Sequence, residues 1–178
     1  MIRLQLPEKI TTERLLIQRL RYEDADEIFY AYASKPEATK YVSWVTHQSV
    51  VATRGFLQYA IAAWNEGMDY GYSIRLKETN RLIGSFGVIN ENGKIQFGYI
   101  FTPTQWGNGY ATEVCIEMMK HLKNEKSVFR IGTCVDVENI ASMKVLLKAG
   151  LVEEARLSDW MMFPNQGRAK DCVLFLLK

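Results

Sequence analysis

Apolar residues recur along this chain with two periods, near 3.6 and near 2, and the switches between them outline its elements. Leu15–Leu20 alternates weakly, as a strand does. Glu23–Ala33 carries Ala25, Ile28, Phe29 and Tyr32 at helical spacing with acids in the first turn, and Lys35-Pro36 closes it. A second helix is predicted over Ser49–Asn65, with Val50, Leu57, Ile61 and Trp64 along one side and Gly67 as its stop. The middle of the chain changes character. Tyr70–Leu76, Arg81–Ile89 and Lys94–Phe101 are rich in β-branched and aromatic residues. The short turns Glu78–Asn80 and Asn90–Gly93 separate them, which predicts an antiparallel meander. Then come a helix over Tyr110–Lys123, a strand over Phe129–Val135 and a helix over Asn139–Ala149. Val152–Phe163 and Arg168–Leu177 flank a Pro164–Gly167 turn as a terminal hairpin. The order β-α-α-β-β-β-α-β-α-β-β predicts an α/β fold around a mixed sheet.

Composition narrows the class without changing this picture. The 178 residues suit one domain, expected to span 1–178, with no repeat or linker to divide it. A net charge of +2, with Lys and Arg scattered, gives no reason to expect a nucleic-acid partner. No apolar stretch approaches the roughly 18 residues of a membrane span, and Met1–Leu15 lacks the apolar run of a signal peptide. Cys115, Cys134 and Cys172 are odd in number and far apart. They read as reduced thiols in a cytoplasmic protein. With only His47 and His121 available, no metal site is expected.

One segment carries recognisable chemistry. After the strand ending near Phe101, Trp106-Gly107-Asn108-Gly109-Tyr110-Ala111-Thr112 runs into an amphipathic helix. Two glycines let the backbone approach a ligand closely. The first amides of the helix lack internal partners and sit at the positive end of its dipole. Together they suit a pyrophosphate, although a short Gly-x-Gly can equally do no more than start a helix. The Walker pattern is excluded because Tyr110-Ala111 stands where Lys-Ser/Thr is needed. The dinucleotide fingerprint fails because Thr112 holds its third small position and a meander precedes it.

Trp106-Gly107-Asn108-Gly109-Tyr110-Ala111 does resemble the cofactor motif of the GNAT N-acetyltransferases, Arg/Gln-x-x-Gly-x-Gly/Ala, at both small positions. Trp in first place is similar to the branch of ribosomal-protein N-terminal (Rim-type) acetyltransferases. So are Thr12–Ile17, Phe97-Gly98-Tyr99, and Val135–Ser142 followed by Lys148–Leu151. The resemblance implies a largely antiparallel mixed sheet flanked by four helices, split between its fourth and fifth strands to admit acetyl-CoA. Ile100, Phe101 and Thr102 would pair with the pantetheine arm, and an amide near Ile100 or Phe101 would hold the thioester carbonyl. The amides of Gly107, Asn108, Gly109, Tyr110, Ala111 and Thr112 would take the pyrophosphate. Asn139 and Ser142, one turn apart at the next helix start, would face the cofactor. Asn139 is equally suited to be an N-cap, and Ser142 to bond its own backbone.

The implied reaction is direct attack of a primary amine on acetyl-CoA in a ternary complex, with a peptide N-terminal α-amino group among the possible acceptors and no metal. Many members protonate the departing thiolate with a Tyr at the position that is Leu146 here, which leaves Ser142 as the acid. The usual acid of the fourth strand is replaced by Gln96, which cannot take a proton. Glu13, Glu23, Asp136 and His47 remain as candidate bases, none placed by a motif. Freeing a lysine-like amine of pKa about 10.4 at neutral pH costs roughly 4–5 kcal/mol, against about 1 kcal/mol for an α-amino group of pKa about 8. The expectation is therefore proton removal through water, from an amine that is already fairly acidic.

The acceptor groove would be shaped by the first two helices and the last hairpin, which carry Tyr30, Tyr41, Trp44, Tyr59, Trp64 and Trp160–Phe163. Aromatics at such spacing serve cores as readily as ligands. The apolar Trp160–Phe163 run would also serve a homodimer, so monomer and homodimer both stand. Two other readings remain open: a non-catalytic acyl-CoA sensor of the same fold, and a nucleotide-binding protein using the same glycines.

Overall fold

A computed structural model describes residues 2–178. The strands are β1 (Lys9–Thr11), β2 (Leu15–Arg19), β3 (Asp69–Leu76), β4 (Leu82–Glu91), β5 (Lys94–Phe101), β6 (Arg130–Asp136), β7 (Leu151–Phe163) and β8 (Arg168–Leu177). They form one sheet in the order β1-β2-β3-β4-β5-β6-β8-β7. Every neighbouring pair is antiparallel except β5 and β6. The helices are α1 (Ala25–Ile28), α2 (Pro36–Thr39), α3 (Val50–Glu66), α4 (Tyr110–Asn124) and α5 (Ile140–Lys148). This is the mixed, largely antiparallel α/β sheet expected from the pattern, with one short strand and one helical turn more.

The additions have local causes. β1 is three residues long, too short for a period to show, and pairs Ile10 with Ile17 of β2. Pro36 does close the preceding helical run, and it also opens α2 from the first helical position, where its missing N–H costs nothing. The run over Tyr22–Ala33 is continuous but not uniform: a 3-10 turn, then α1, then a π turn over Phe29–Ala33. Arg75 of β3 holds α1 against the sheet, donating to Asp24 at 2.9 Å and Glu27 at 2.7 Å. At the β4–β5 hairpin Asn92 and Gly93 take φ 52° and 94°, the left-handed pair that Asn-Gly provides at low steric cost.

Each face of the sheet has its own core. Tyr72, Ile74, Phe86, Val88, Ile95 and Phe97 pack against Val114, Met118 and Leu122 of α4. On the other face Leu20 and Leu82 meet Ile28, Tyr32, Leu57 and Ala60. The weak place is the parallel contact. β5 and β6 pair only at Lys94–Arg130, Ile95–Ile131 and Gln96–Gly132, then separate.

Candidate active site

The separation of β5 from β6 leaves peptide groups facing a split, and register decides which. The Thr102 amide donates to Ile83 O at 2.8 Å. Alternate residues of an antiparallel strand point their peptide groups the same way, so Ile100, paired with Ser85, also turns toward β4. Tyr99 and Phe101 therefore turn theirs toward β6. Of the three residues expected to line the split with backbone, only Phe101 does so; Ile100 and Thr102 are committed to the ladder, and Tyr99 takes their place. The carbonyl of Phe101 already accepts the indole N–H of Trp106 at 3.0 Å. Trp106 thus ties the loop to the strand end while half its surface stays exposed.

Beyond Trp106 the backbone amides of Gly107, Asn108, Gly109, Tyr110, Ala111 and Thr112 find no acceptor among the described residues. Gly107 and Gly109 both sit at φ 80°. A Cβ on Gly107 would meet nothing within 4 Å, so what this position requires is the left-handed backbone and not space. The guanidinium of Arg14, which the pattern did not single out, lies beside this row. It donates to Asn108 O at 2.9 Å and to Glu113 at 2.7 Å, and covers the Tyr110 ring at 4.5 Å. Glu113 also accepts from the Thr12 hydroxyl at 2.6 Å, bracing the start of α4 against the β1–β2 turn. Six free amides at a helix N-terminus are arranged to suit an anion, with Arg14, itself paired to Glu113, beside them.

At the start of α5 the Asn139 side chain accepts from the Ser142 amide at 3.2 Å, so it caps the helix as its N-cap reading required. The Ser142 hydroxyl meets the Tyr99 hydroxyl at 2.8 Å. Burial pushes the Tyr99 pKa up, which keeps that phenol protonated. Leu146, at the position where the resemblance implied a Tyr in many members, is fully buried in the core. The Tyr99–Ser142 pair joins β5 to α5 across 43 residues of chain, beyond the reach of any local pattern.

Asn139, Ser142, Tyr99 and Ile100 share one cavity of about 620 Å³; the Trp106–Thr112 loop lies outside it, on the surface. Its far wall is a strap over residues 39–47 that contributes Tyr41, Trp44 and His47. Asn165, from the turn between β7 and β8, clamps this strap. It accepts from the Thr46 amide at 2.9 Å and donates to Thr39 O at 2.7 Å and Trp44 O at 2.9 Å. Met161 and Phe163 line the cavity, while Trp160 and Met162 point to solvent. Tyr30 and Tyr59 are also exposed, and Trp64 packs on Tyr70 and Tyr72 in the core.

The candidate bases are sorted the same way. Glu13 and Glu23 are exposed and do not line the cavity. Asp136 does, but it accepts from Gln166 at 2.9 Å and faces the Lys170 ammonium at 3.9 Å. His47 lines the cavity, bonds Thr53 Oγ1 through Nδ1 at 2.8 Å, and is held below its usual pKa by burial. Gln96 lines it too and donates to Glu91 at 3.1 Å. The residue that sequence reasoning missed is Asp69, at the first position of β3, whose pKa burial lifts to about 6. Its signal was faint: one acid just ahead of the Tyr70-Gly71-Tyr72 start of a strand. Cys134, also in the wall, has its thiol pushed up to about 12 by burial, so it is no ready nucleophile. Among the described residues no group of His, Cys, Asp and Glu is arranged to hold a metal.

The model of the acetyltransferase (GNAT) domain matches residues 14–152. An uncharacterized N-acetyltransferase, p20 of Bacillus licheniformis, is 32% identical over 173 residues, covering 96% of each chain. A GNAT-family acetyltransferase of Bacillus anthracis superposes with a TM-score of 0.82 at 23% identity, over 95% of this chain and 97% of that one. RimL, a ribosomal L7/L12 α-N-protein acetyltransferase in complex with coenzyme A, gives 0.86 at 17% identity, over 95% and 97%. At these identities the two solved structures establish likeness of fold.

Proposed function

The chain belongs to the GNAT acetyltransferase family, and from that premise we propose that it moves an acetyl group from acetyl-CoA to a primary amine, of a small molecule or a peptide N-terminus. The observation that carries the donor is the row of free amides from Gly107 to Thr112 beside Arg14, which suits the pyrophosphate of coenzyme A. The split between β5 and β6, edged by peptide groups of Tyr99 and Phe101, suits the pantetheine arm as an added strand. The thioester then reaches the cavity wall where Ser142 stands. A RimL structure holding coenzyme A on the same fold supports the donor assignment.

In this reading the amine enters from the cavity and attacks the thioester carbonyl directly in a ternary complex. Backbone N–H at the β5 edge faces the developing oxyanion. Ser142 hands a proton to the thiolate and takes up the one the attacking nitrogen sheds, while Tyr99, hydrogen-bonded to it and kept protonated by burial, holds its hydroxyl in place. Asn139 positions Ser142 by capping the helix that carries it. The strap clamped by Asn165 shapes the acceptor end.

Release of coenzyme A with a panel of amines tests this, alongside acetyl-CoA titrations of Gly109→Val and turnover of Asn139→Ala and Ser142→Ala. The expected result is turnover with at least one amine, faster for peptide N-termini than for free lysine. Gly109→Val should raise the acetyl-CoA KM by about tenfold or more, because a β-branched residue is strained at positive φ where the amides must present. Absence of turnover with every amine overturns the proposal, and acetyl-CoA-induced stabilisation without turnover points to a non-catalytic acyl-CoA sensor instead.

A further inference from the structure

Three glycines lie side by side on adjacent strands: Gly71 of β3 faces Gly87 of β4, which faces Gly98 of β5. Side chains alternate across a sheet, so this row shares its face with Asp69, Ser85, Ile89, Gln96 and Ile100, and all three glycines line the cavity. Packing explains only Gly71, whose Cβ would stand 2.6 Å from Leu20 Cδ1. A Cβ on Gly98 would meet nothing within 4 Å, and one on Gly87 would touch only Asp69 Oδ1, at 4.0 Å. Gly87 and Gly98 therefore make a floor of bare backbone, and the Asp69 carboxylate overhangs its far end.

Asp69 is half-buried and makes no side-chain hydrogen bond or ion pair among the described residues; burial alone accounts for its raised pKa. It is also in register with the residue it would replace: Asp69 pairs with Ile89, and Ile89 with Gln96. The acid thus stands two strands from the position where the resemblance places one, about 10 Å at the usual strand spacing. That exceeds the roughly 3 Å reach of a base acting directly. The Ile89 side chain stands on the direct line, and the open floor runs beside it over Gly87 and Gly98, with Ser85, itself bonded to Tyr32, and Gln96 as polar partners for water.

We propose that Asp69 is the proton acceptor for the incoming amine, acting through water held over Gly87 and Gly98. The inference rests on the amine-acetyltransferase reading above. The ammonium gives one proton to water, and water gives one to the Asp69 carboxylate. The neutral nitrogen then forms its bond to the thioester carbon as the carbon–sulfur bond breaks. The second proton lost from nitrogen ends on sulfur by way of Ser142, and Asp69 returns its own to solvent. The other ionisable groups facing the cavity are Tyr32 from the π turn, Tyr41 and His47 from the strap, Tyr99 of β5, and Cys134 and Asp136 of β6. From α3 only Phe56 and Ala60 face it. His47, held below its usual pKa by burial, is the imidazole among them, and the experiment separates it from Asp69.

The test is the pH dependence of kcat/KM and kcat for one accepted amine in wild type, Asp69→Asn, Asp69→Glu, Gly87→Val and His47→Gln. Wild type should lose activity on the acidic side with a midpoint near the Asp69 value, about 6. Asp69→Asn should abolish that limb and lower kcat about a hundredfold, with the amine KM nearly unchanged, and Asp69→Glu should recover part of it. Gly87→Val, which keeps the carboxylate but fills the floor, should lower kcat without weakening acetyl-CoA binding. His47→Gln should keep the limb. Carboxyl-carbon NMR should find one aspartate titrating near that value in wild type and none in Asp69→Asn. The proposal is overturned if that aspartate titrates near 4, if the limb follows His47, or if Asp69→Asn raises only the amine KM, as a mere cation-binding site would. Active wild type with an unimpaired Asp69→Asn overturns this proposal alone. Wild type that releases no coenzyme A with any amine overturns the acetyl-transfer reading, and this one with it.

Discussion

At Asp69 burial works against charge, and the consequence reaches beyond catalysis. Its folded pKa is raised from 3.8 to about 6. Between those values the native chain holds a proton that the unfolded chain releases, so this residue's contribution to stability falls as pH rises from about 4 to about 6 and stays low above. Asp69→Asn should therefore melt a few degrees higher than wild type at pH 8, with the gain shrinking toward pH 4, as thermal scans at the two pH values would show. Ser142 and Tyr99 raise a different question, since their hydroxyls meet at 2.8 Å and a deletion can be bypassed. Ser142→Ala should lower kcat by about one to two orders of magnitude with the acetyl-CoA KM little changed. Tyr99→Phe should lose less, because Ser142 stays in place. Steady-state kinetics on both variants and the double mutant would show whether the two act as a unit.

In two segments one side chain makes several bonds at once, and under the proposed function each belongs to the site of one substrate. The start of α4 is braced by Glu113, which binds Thr12 and Arg14 together and is kept below its usual pKa by those partners, although burial opposes them. Arg14→Ala removes the nearest cation and the contact to Asn108 O, so the acetyl-CoA KM should rise several-fold with kcat retained. That effect should weaken at high salt, because the guanidinium is nearly half exposed. The strap over residues 39–47 depends on Asn165, whose amide satisfies Thr46, Thr39 and Trp44 at once. Asn165→Ala leaves those backbone groups unpaired, each a loss of about 1–3 kcal/mol where buried. The expected outcome is a higher amine KM with acetyl-CoA binding unchanged, read from bisubstrate kinetics.

At the scale of the whole molecule the sheet is two blocks, β1–β5 and β6–β8, joined edge to edge at three residue pairs. A ligand laid into the split adds hydrogen bonds where β5 and β6 have parted. Acetyl-CoA at about a hundred times its Kd should raise stability by about 2.7 kcal/mol, a Tm increase on the order of 5–10 °C for a chain of this length. Hydrogen exchange should slow most at Tyr99, Phe101 and the amides of Gly107–Thr112, with little change in β1 and β2. Protection spread evenly over the sheet would contradict a ligand seated in the split.

The sequence by itself determined the order of elements, the meander, the terminal hairpin and the glycine loop ahead of α4, because periodicity, turn residues and helix starts are local properties. It also determined the family, through motifs carried on contiguous residues such as Trp106–Ala111. Only the tertiary structure decided which groups meet. Thr46 and Asn165 are 119 residues apart, and Arg14 and Asn108 are 94 apart. Register, not composition, turned Tyr99 and Phe101 to the split and left Ile100 and Thr102 in the ladder. The same register aligned Asp69 with Gln96 across an intervening strand. A proton acceptor displaced by two strands leaves no mark in a linear motif, because strand pairing brings close what the chain keeps apart.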